Sequence, residues 1–281
     1  MNAFPATPPV DDAPDALLSG HLWLLELIDG RPLRFQLQET GLLRVGDGET
    51  VYDDPETVPL PFRQAVAHIR DSLDRDALRA AVDAVEAVTF FGVATTREST
   101  PYDLDSMPPF LGTDVWAADS GTFRPPDAAD GIFRRLGLTP VSTFDREAHA
   151  RDFSPDTYEI PTSAWYDGPA AGVVIRNKQG HRGKLSNPAV AASPTTADSI
   201  HAEPAQSIDE LVDTYATPAH IEPIATAAQS DGDSVAVDTI TDRLCGVVGR
   251  RHPEAFLGAD GLDQPTFRSA VAEQVHRHRH G

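Results

Sequence analysis

Short apolar runs separated by turn signals follow one another through the first part of the chain. Residues 22–30, 32–37 and 42–45 are three such runs, and Asp-Gly pairs at 29–30 and 47–48 punctuate them. Runs of this length bounded by Asp-Gly turns predict short antiparallel strands. Similar composition predicts further strands at residues 88–94, 112–117, 140–144 and 172–177.

Two stretches between these strands have the spacing of helices instead. Within residues 62–85 the apolar positions recur at helical spacing, at Val66, Ile69, Leu73, Leu78, Val82 and Val85. Asp74 stands where an N-cap is needed between two successive helices. A third helix is predicted for residues 126–136, because a proline stands at its start and Gly137 follows its end.

The last third of the chain changes character. Residues 191–206 are rich in Ala, Ser, Thr and Pro, which predicts a linker. A capping-box pattern, S-x-x-E, starts at Ser207, and Thr217 followed by a proline indicates a second helix start. Two further apolar helix faces follow, made of Ile240, Leu244, Val247 and Val248 and of Phe267, Val271 and Val275.

This order of elements predicts an α+β protein with a helical appendage. We expect a disordered leader over residues 1–18, because that stretch is rich in Pro and Asp. An α+β domain of antiparallel sheets flanked by helices is expected over residues 19–190, a linker over 191–206 and a small helical region over 207–281.

The charge balance indicates the environment. The chain has 43 acidic residues against 23 basic ones, a formal net charge of −20, and only two of the basic residues are lysines, Lys178 and Lys184. An acidic, lysine-poor surface is typical of proteins from cells with high internal salt, where screening shortens the reach of charge repulsion. We therefore interpret the acidity as a halophilic signature. It leaves nucleic-acid binding open, since a local arginine patch can still bind phosphate.

Composition also indicates the cellular compartment in which we expect the protein. No run approaches the roughly 18 apolar residues that a membrane span needs, and the N-terminus lacks the basic start and apolar stretch of a secretion signal. The single cysteine, Cys245, excludes an internal disulfide and a cysteine-based zinc site, and its place on an apolar helix side predicts a core position. A cytoplasmic protein without membrane association is expected.

A series of short segments carries the signs of a chemical site. The first three are E-L-I-D-G at residues 26–30, L-R-V-G-D-G at 43–48 and F-F-G-V at 90–93. The later ones are Y-D-L-D at 102–105, P-F-L-G-T-D-V-W at 109–116, A-G-V-V-I-R-N at 171–177 and Q-G-H-R-G-K-L-S-N-P at 179–188. One Asp-Gly pair after a strand indicates only a hairpin turn. The information lies in the order of the whole series.

In this order the segments resemble the nucleotide-binding domain of ATP-dependent RNA ligases, over residues 20–190. The resemblance implies a nucleotidyltransferase fold, ATP and Mg²⁺ as cofactors and RNA as substrate. In that family a lysine in the motif E-K-x-D-G attacks the α-phosphate of ATP, carboxylates serve metal and ribose, and cations meet the developing phosphate charge. Residues 212–218 are similar to the start of the helical appendage in some archaeal and phage-type RNA ligases.

The charged groups of this chemistry are missing. Leu27 stands at the position of the nucleophilic lysine, and Gly48 at that of an arginine that binds phosphate or substrate. Val93 and Ala171 replace the glutamates that contact the ribose and organise the metal. Leucine has no nucleophilic atom, so a covalent lysyl-AMP at that position is excluded. We predict a catalytically degenerate protein with no catalytic residue and no metal site.

Other positions of the family pattern are kept, namely Asp29, Gly30, Gly92, Asp114, Gly172, Arg176, Arg182 and Lys184. A preserved fold with lost chemistry predicts a protein that binds a nucleotide, an RNA end or an active ligase partner. One alternative is an active ligase that uses Lys184 as an unorthodox nucleophile, since the resemblance places this lysine at the α-phosphate. Another is a purely structural interaction protein whose pocket is filled.

The residual site is open to two interpretations. The residues that the resemblance assigns to nucleotide or phosphate are Asp29, Gly30, Gly92, Arg176, Arg182 and Lys184. Its three cations form either an anion site or solvated charges at strand ends. Val93 and Ala171 are expected to tighten the core where a pocket would otherwise open.

Two further features of the sequence carry less information about function. Asp103 and Asp105 suggest a metal pair only faintly in so acidic a chain. At the C-terminus, His276, His278 and His280 alternate with arginines, which favours a flexible basic tail over a metal site.

Overall fold

A computed structural model describes residues 1–191, 206–230 and 236–280. The chain divides into two compact units: unit 1 is Met1–Thr57 with Ala65–Thr196, and unit 2 is Val58–Gln64 with Ala197–Gly281. Nearly all of the predicted linker, residues 192–205, lies outside the described residues.

Unit 1 is built on two antiparallel sheets. A four-stranded sheet has the order β10-β9-β1-β8 and a six-stranded sheet the order β4-β3-β2-β5-β6-β7. The strands are β1 (His21–Glu26), β2 (Arg31–Leu37), β3 (Leu43–Gly46), β4 (Val51–Tyr52), β5 (Val88–Ala94), β6 (Phe110–Ala117), β7 (Thr122–Phe123), β8 (Thr143–His149), β9 (Gly172–Asn177) and β10 (Arg182–Ser186). This mixed architecture confirms the predicted α+β class.

The strand predicted at residues 140–144 is misplaced. Pro140 makes only an isolated bridge to Gly112, and the true strand, β8, is Thr143–His149. β8 lies at the edge of its sheet and is largely exposed, so it lacks the apolar signal that identified the other strands. Its pairing with β1 is irregular, and Glu147 has a positive φ of 58° beside that irregularity.

Helices flank the sheets where the sequence places them. These are α1 (Leu60–Ser72), α2 (Arg75–Ala81), α3 (Pro126–Arg135) and the short α4 (Pro188–Ala191). Asp74 caps α2, because its side chain accepts a hydrogen bond from the Ala77 N–H at 2.8 Å. Gly137 follows α3 with φ 79°, a left-handed conformation that ends the helix.

The core of the six-stranded sheet is aromatic. Phe35 and Phe90 stack with ring centroids 4.8 Å apart, and Phe110 and Phe133 meet this pair edge-on at 5.7 and 5.9 Å. All four are fully buried. α3 packs closely on β6 at Gly112, since any side chain there would collide with the Phe133 ring.

The N-terminal residues differ from the predicted disordered leader. Val10 and Leu17 are buried in the apolar cluster behind the four-stranded sheet. The Asn177 side-chain amide donates to the carbonyl of Ala16 at 2.8 Å, and the Lys184 backbone N–H donates to the carbonyl of Pro8 at 2.8 Å. The abundance of Pro and Asp in this segment hides the few apolar residues that anchor it.

Unit 2 is helical in its described parts. Its later helices are α5 (Ile208–Tyr215), α6 (Pro218–Ser230), α7 (Val237–Arg251) and α8 (Gln264–His280). The predicted capping box is present at Ser207 and Glu210. All but one of the predicted core positions are buried, and Val247 is half-buried. The buried ones are Ile240, Leu244, Val248, Phe267, Val271 and Val275. Cys245 is fully buried, as predicted.

The predicted flexible basic tail is wrong, because α8 continues to His280. Arg277 is held there by an ion pair of 2.7 Å with Glu273, one turn earlier. Among the described residues, no helix has the length and apolar character to cross a membrane.

Two glycines of unit 1 should respond oppositely to alanine. In Gly92→Ala the new methyl group would collide with the Leu111 carbonyl oxygen and the Phe110 ring, so we expect a loss of about 1–3 kcal/mol in unfolding free energy. In Gly131→Ala, inside α3, nothing lies within 4 Å of the new methyl group. There we expect a gain of about 0.5–1 kcal/mol. Urea unfolding at constant salt measures both, and a neutral Gly92→Ala would contradict the observed packing.

Candidate functional site

The first and last segments of the predicted site lie side by side. Leu27 directly follows β1, and its backbone N–H donates to the Gly172 carbonyl at 3.0 Å. A Cβ atom on Gly172 would lie 2.9 Å from Leu27 Cδ2. Gly172 pairs with Ser186 on β10, two residues beyond Lys184, a distance of about 7 Å along a strand. The half-buried Leu27 therefore lies near the Ser186 end of β10, and Lys184 is the middle residue of that strand.

Asp29 organises a loop and does not face open space. Its carboxylate accepts hydrogen bonds from Ser99 Oγ at 2.7 Å and from the Thr100 N–H at 2.8 Å. Its own N–H donates to the Tyr102 hydroxyl at 3.1 Å. One oxygen of the carboxylate, Oδ2, thus accepts these hydrogen bonds from within the chain.

Apolar packing surrounds the positions where the resemblance expects carboxylates. Val93 lies against Gly30, since a Cβ on that glycine would stand 2.6 Å from Val93 Cγ1. Val93 packs on a buried cluster whose members include Tyr102, Met107 and Leu111. Ala171 is only 9% exposed. Valine and alanine have no carboxylate, so neither position can contact a ribose or organise a metal through one.

Gly48 lies in the exposed turn between β3 and β4. That turn is held by Asp47, whose carboxylate accepts from the backbone N–H groups of Glu49 and Thr50 and from the Tyr52 hydroxyl. A Cβ on Gly48 would lie 3.4 Å from Pro32 Cγ, and Pro32 pairs with Val93 across the sheet.

A buried ion cluster joins the two sheets. Asp114 Oδ1, on β6, lies 2.8 Å from an Nη atom of Arg176 on β9 and 3.0 Å from an Nη atom of Arg182 on β10. All three side chains are less than a tenth exposed. Arg176 also donates to the Thr113 carbonyl at 3.1 Å, and the Arg182 guanidinium lies 4.9 Å from the centroid of the Phe123 ring.

Both arginines are buried, so they are not solvated strand ends. Arg182 donates a hydrogen bond to Asp114, whereas Arg176 forms an ion pair with Asp114 and donates to the backbone carbonyls of Thr113 and Arg124. Burial alone would raise the pKa of the Asp114 carboxyl, but attraction to Arg176 and Arg182 outweighs it and holds that pKa below its usual value. The cluster retains one surplus positive charge.

The two lysines of the chain have different surroundings. Lys178 Nζ lies 2.8 Å from Glu147 Oε1 and 5.2 Å from the centroid of the Trp23 ring. Lys184 shares a face of β10 with Arg182, because residues two apart in a strand point to the same side. In the part of the chain that the structure describes, no carboxylate pairs with the Lys184 ammonium group.

A buried acid beside Leu27 was not singled out from the sequence. Glu26 is 2% exposed, and its carboxylate accepts a hydrogen bond from Ser163 Oγ at 2.6 Å. Burial raises the pKa of the Glu26 carboxyl, and the hydrogen bonds from Ser163 and the Ala164 N–H only partly offset this. Its position in E-L-I-D-G could have identified it from the sequence, because the family motif E-K-x-D-G also begins with a glutamate. Within the described ranges, no group of three or more His, Cys, Asp or Glu residues could hold a metal ion.

The two antiparallel sheets flanked by helices match the nucleotidyltransferase fold of RNA ligases. No protein-family model matches the sequence, and no curated protein has significant similarity to it. The solved structure of a Naegleria gruberi RNA ligase with PPi is similar, with a TM-score of 0.52 and 12% sequence identity, over 67% of this chain and 56% of that one.

Another structure of the Naegleria gruberi RNA ligase, a variant with ATP and Mn, gives a TM-score of 0.51 at 13% identity, over 68% of this chain and 58% of that chain. An archaeal ATP-dependent RNA ligase aligns with a TM-score of 0.46 at 14% identity, over 88% of this chain and 63% of that chain. The chain thus matches less than two thirds of the length of these proteins. At such identities the similarity establishes the fold alone.

Removing the carboxylate from the ion cluster should destabilise unit 1. Asp114→Asn leaves two buried arginines without a counter-charge, and we expect a loss of about 3–5 kcal/mol in unfolding free energy. The matched control is Asp119→Asn, because Asp119 is 72% exposed and lies 3.5 Å from Arg124. That control should change stability by less than about 1 kcal/mol. Urea unfolding near neutral pH measures both, since urea leaves the ionic strength constant.

The pH dependence provides a second check. Because the pKa of Asp114 is lowered on folding, its contribution is complete above the usual value of 3.8 and disappears as the pH falls through the lowered value. Asp114→Asn should therefore flatten the acid side of the stability profile. Equal losses in the Asp114 and Asp119 variants would refute the structural role of the cluster.

Proposed function

We propose that this chain is a catalytically degenerate RNA-ligase-like protein that binds RNA without covalent chemistry. The observation that carries the proposal is the apolar packing at three positions that the chemistry needs. Leu27 touches Gly172, Val93 covers Gly30, and Ala171 is buried. A lysyl nucleotide at position 27 cannot form, because leucine has no nucleophilic atom.

The residues present do not fit the cofactors that the resemblance implies. ATP and Mg²⁺ would need carboxylates near Leu27, but Asp29 is engaged by Ser99 and Thr100. Glu26 is buried against Ser163. Position 93 packs on an apolar cluster. We therefore do not propose ATP or Mg²⁺ as a cofactor.

RNA is the ligand that the remaining cations favour. Lys184 faces the same side as the buried arginine cluster, which has one surplus positive charge. Among the described residues no carboxylate pairs with the Lys184 ammonium group, and an ammonium group in such surroundings suits a phosphodiester. In a chain with a net charge of −20, such a local positive site defines where an RNA backbone can approach.

A labelling experiment tests the absence of covalent chemistry. After incubation with α-labelled ATP and Mg²⁺ or Mn²⁺, we expect no label on the denatured protein. If label survives denaturation, is lost in Lys184→Ala and persists in Lys178→Ala, the chain is an active ligase. In that case Lys184 Nζ forms the bond to the α-phosphorus while pyrophosphate leaves.

Binding of RNA is tested with the same pair of lysine variants. We expect a fluorescently labelled single-stranded RNA to bind the wild-type chain with a salt-dependent affinity, measured by anisotropy. Losing one phosphate contact in Lys184→Ala should reduce the slope of log Kd against log salt by about 0.7. Lys178→Ala should leave the slope unchanged, because Lys178 is already paired with Glu147. Absence of RNA binding by the wild-type chain at every salt concentration would rule out the proposed function.

A further inference from the structure

One cross-strand row of side chains leads away from the buried ion cluster. Asp114 on β6 pairs with Phe91 on β5, and Phe91 pairs with Arg34 on β2. Residues paired across a sheet lie on one face, so Phe91 and Arg34 continue the face that carries Asp114. Phe123 lies beside this row, with its ring centroid 5.5 Å from that of Phe91. The Arg182 guanidinium lies 4.9 Å from the Phe123 centroid.

Arg34 is a buried cation with spare hydrogen-bonding capacity. It is 5% exposed, and its Nε atom has no hydrogen-bond partner. Its neighbour across the sheet is Gly46, and a Cβ there would stand 3.2 Å from Nε. The glycine thus leaves room for the guanidinium. Burial lowers the pKa of Arg34, and the Asp47 carboxylate partly offsets that effect.

The N-terminus of the chain covers this row. The Phe4 ring meets Phe91 edge-on at 5.0 Å, and the Arg34 guanidinium carbon lies 5.5 Å from the Phe4 centroid. The carbonyl of Asn2 accepts a hydrogen bond from Arg34 Nη1 at 3.0 Å. An aromatic ring and a carbonyl oxygen of the chain itself therefore occupy the positions beside Arg34 and Phe91.

Residues 2–7, here called the N-terminal strap, are held less firmly than the residues that follow. Pro9 forms a parallel bridge with Lys184 at the edge of β10, and Val10 and Leu17 are buried behind that sheet. None of the strap side chains is buried. A segment with few buried contacts opens more easily than its anchored neighbour. The strap can leave the six-stranded sheet while the anchor at residues 8–17 stays in place.

We propose that Phe4 occupies a stacking site for an unpaired base of single-stranded RNA, and that RNA binds after displacing the strap. Arginines beside aromatic rings suit both the bases and the phosphates of single-stranded RNA. Bases stack on rings and on guanidinium planes, and phosphates pair with the positive charge. The inference rests on the proposed RNA binding. It adds where the RNA binds and which part of the chain, the strap, competes with it. RNA affinity then depends on the fraction of molecules with an open strap.

A dye on the strap reports its displacement directly. Ala3 is exposed, and Ala3→Cys provides one reactive thiol. The native Cys245 is fully buried and its burial raises the pKa of the thiol to about 12, so it does not compete for the label. We expect unlabelled single-stranded RNA to lower the anisotropy of the dye, because the released strap is mobile. Unchanged or higher dye anisotropy with bound RNA would overturn the proposal while leaving RNA binding intact.

Removing the competing ring should tighten RNA binding. If the strap is open in about one molecule in ten, Phe4→Ala should gain up to about tenfold in affinity for a labelled RNA. Thr7→Ala is the matched control, because the Thr7 hydroxyl donates only to the Pro5 carbonyl within the strap. Equal affinities of the Phe4→Ala and wild-type chains would contradict the competition.

Two further outcomes separate the two proposals. If AMP alone releases the dye as well as the oligonucleotide does, the site takes a free nucleotide and its assignment to RNA is wrong. If neither the wild-type chain nor Phe4→Ala binds RNA, the proposed function itself fails. A wild-type chain that binds RNA with the dye unmoved refutes the strap inference alone.

Discussion

A single carboxylate, that of Asp114, joins the two sheets of unit 1. It forms ion pairs with Arg176 and Arg182, which come from two strands of the opposite sheet, and it accepts a hydrogen bond from Arg182. All three groups are almost completely removed from water. In such a buried site an unpaired charge costs several kcal/mol. The cluster therefore holds together only as a set. It ties β6 to β9 and β10, and the inner faces that carry Phe91 and Lys184 are positioned with it.

The pairing with Asp114 also decides which of the few cations in this acidic chain are already used within the fold. The resemblance to RNA ligases assigns three of them, Arg176, Arg182 and Lys184, to phosphate. Arg176 and Arg182 pair with Asp114, and the third, Lys184, is the one that we propose for an external anion. The same face continues to Arg34, whose charge is covered by Phe4 and Asn2. A structural role for the arginines and a binding role for the face are compatible, because the cluster keeps one positive charge in excess.

The candidate site could be predicted only in part. Leu27, Val93 and Ala171 were identified by their order along the chain, and the structure supplies the packing that surrounds them. The partner of Arg176 and Arg182 could not be inferred, because Asp114 is one carboxylate among 43 acidic residues and lies far away in sequence. The contact of Phe4 with Phe91 was likewise invisible. A half-buried aromatic in a segment rich in proline gives no periodic signal.

Local patterns determined most of the elements by themselves. β5 and β9 coincide with their apolar runs, Asp74 caps α2, and Ser207 with Glu210 forms the capping box of α5. These features depend on neighbours within a few residues, so the chain encodes them locally. Only the tertiary structure decided that the polar edge strand β8 exists and that residues 2–17 pack on both sheets. Those outcomes depend on contacts between distant segments, and composition does not specify which distant partner a carboxylate or a ring will meet.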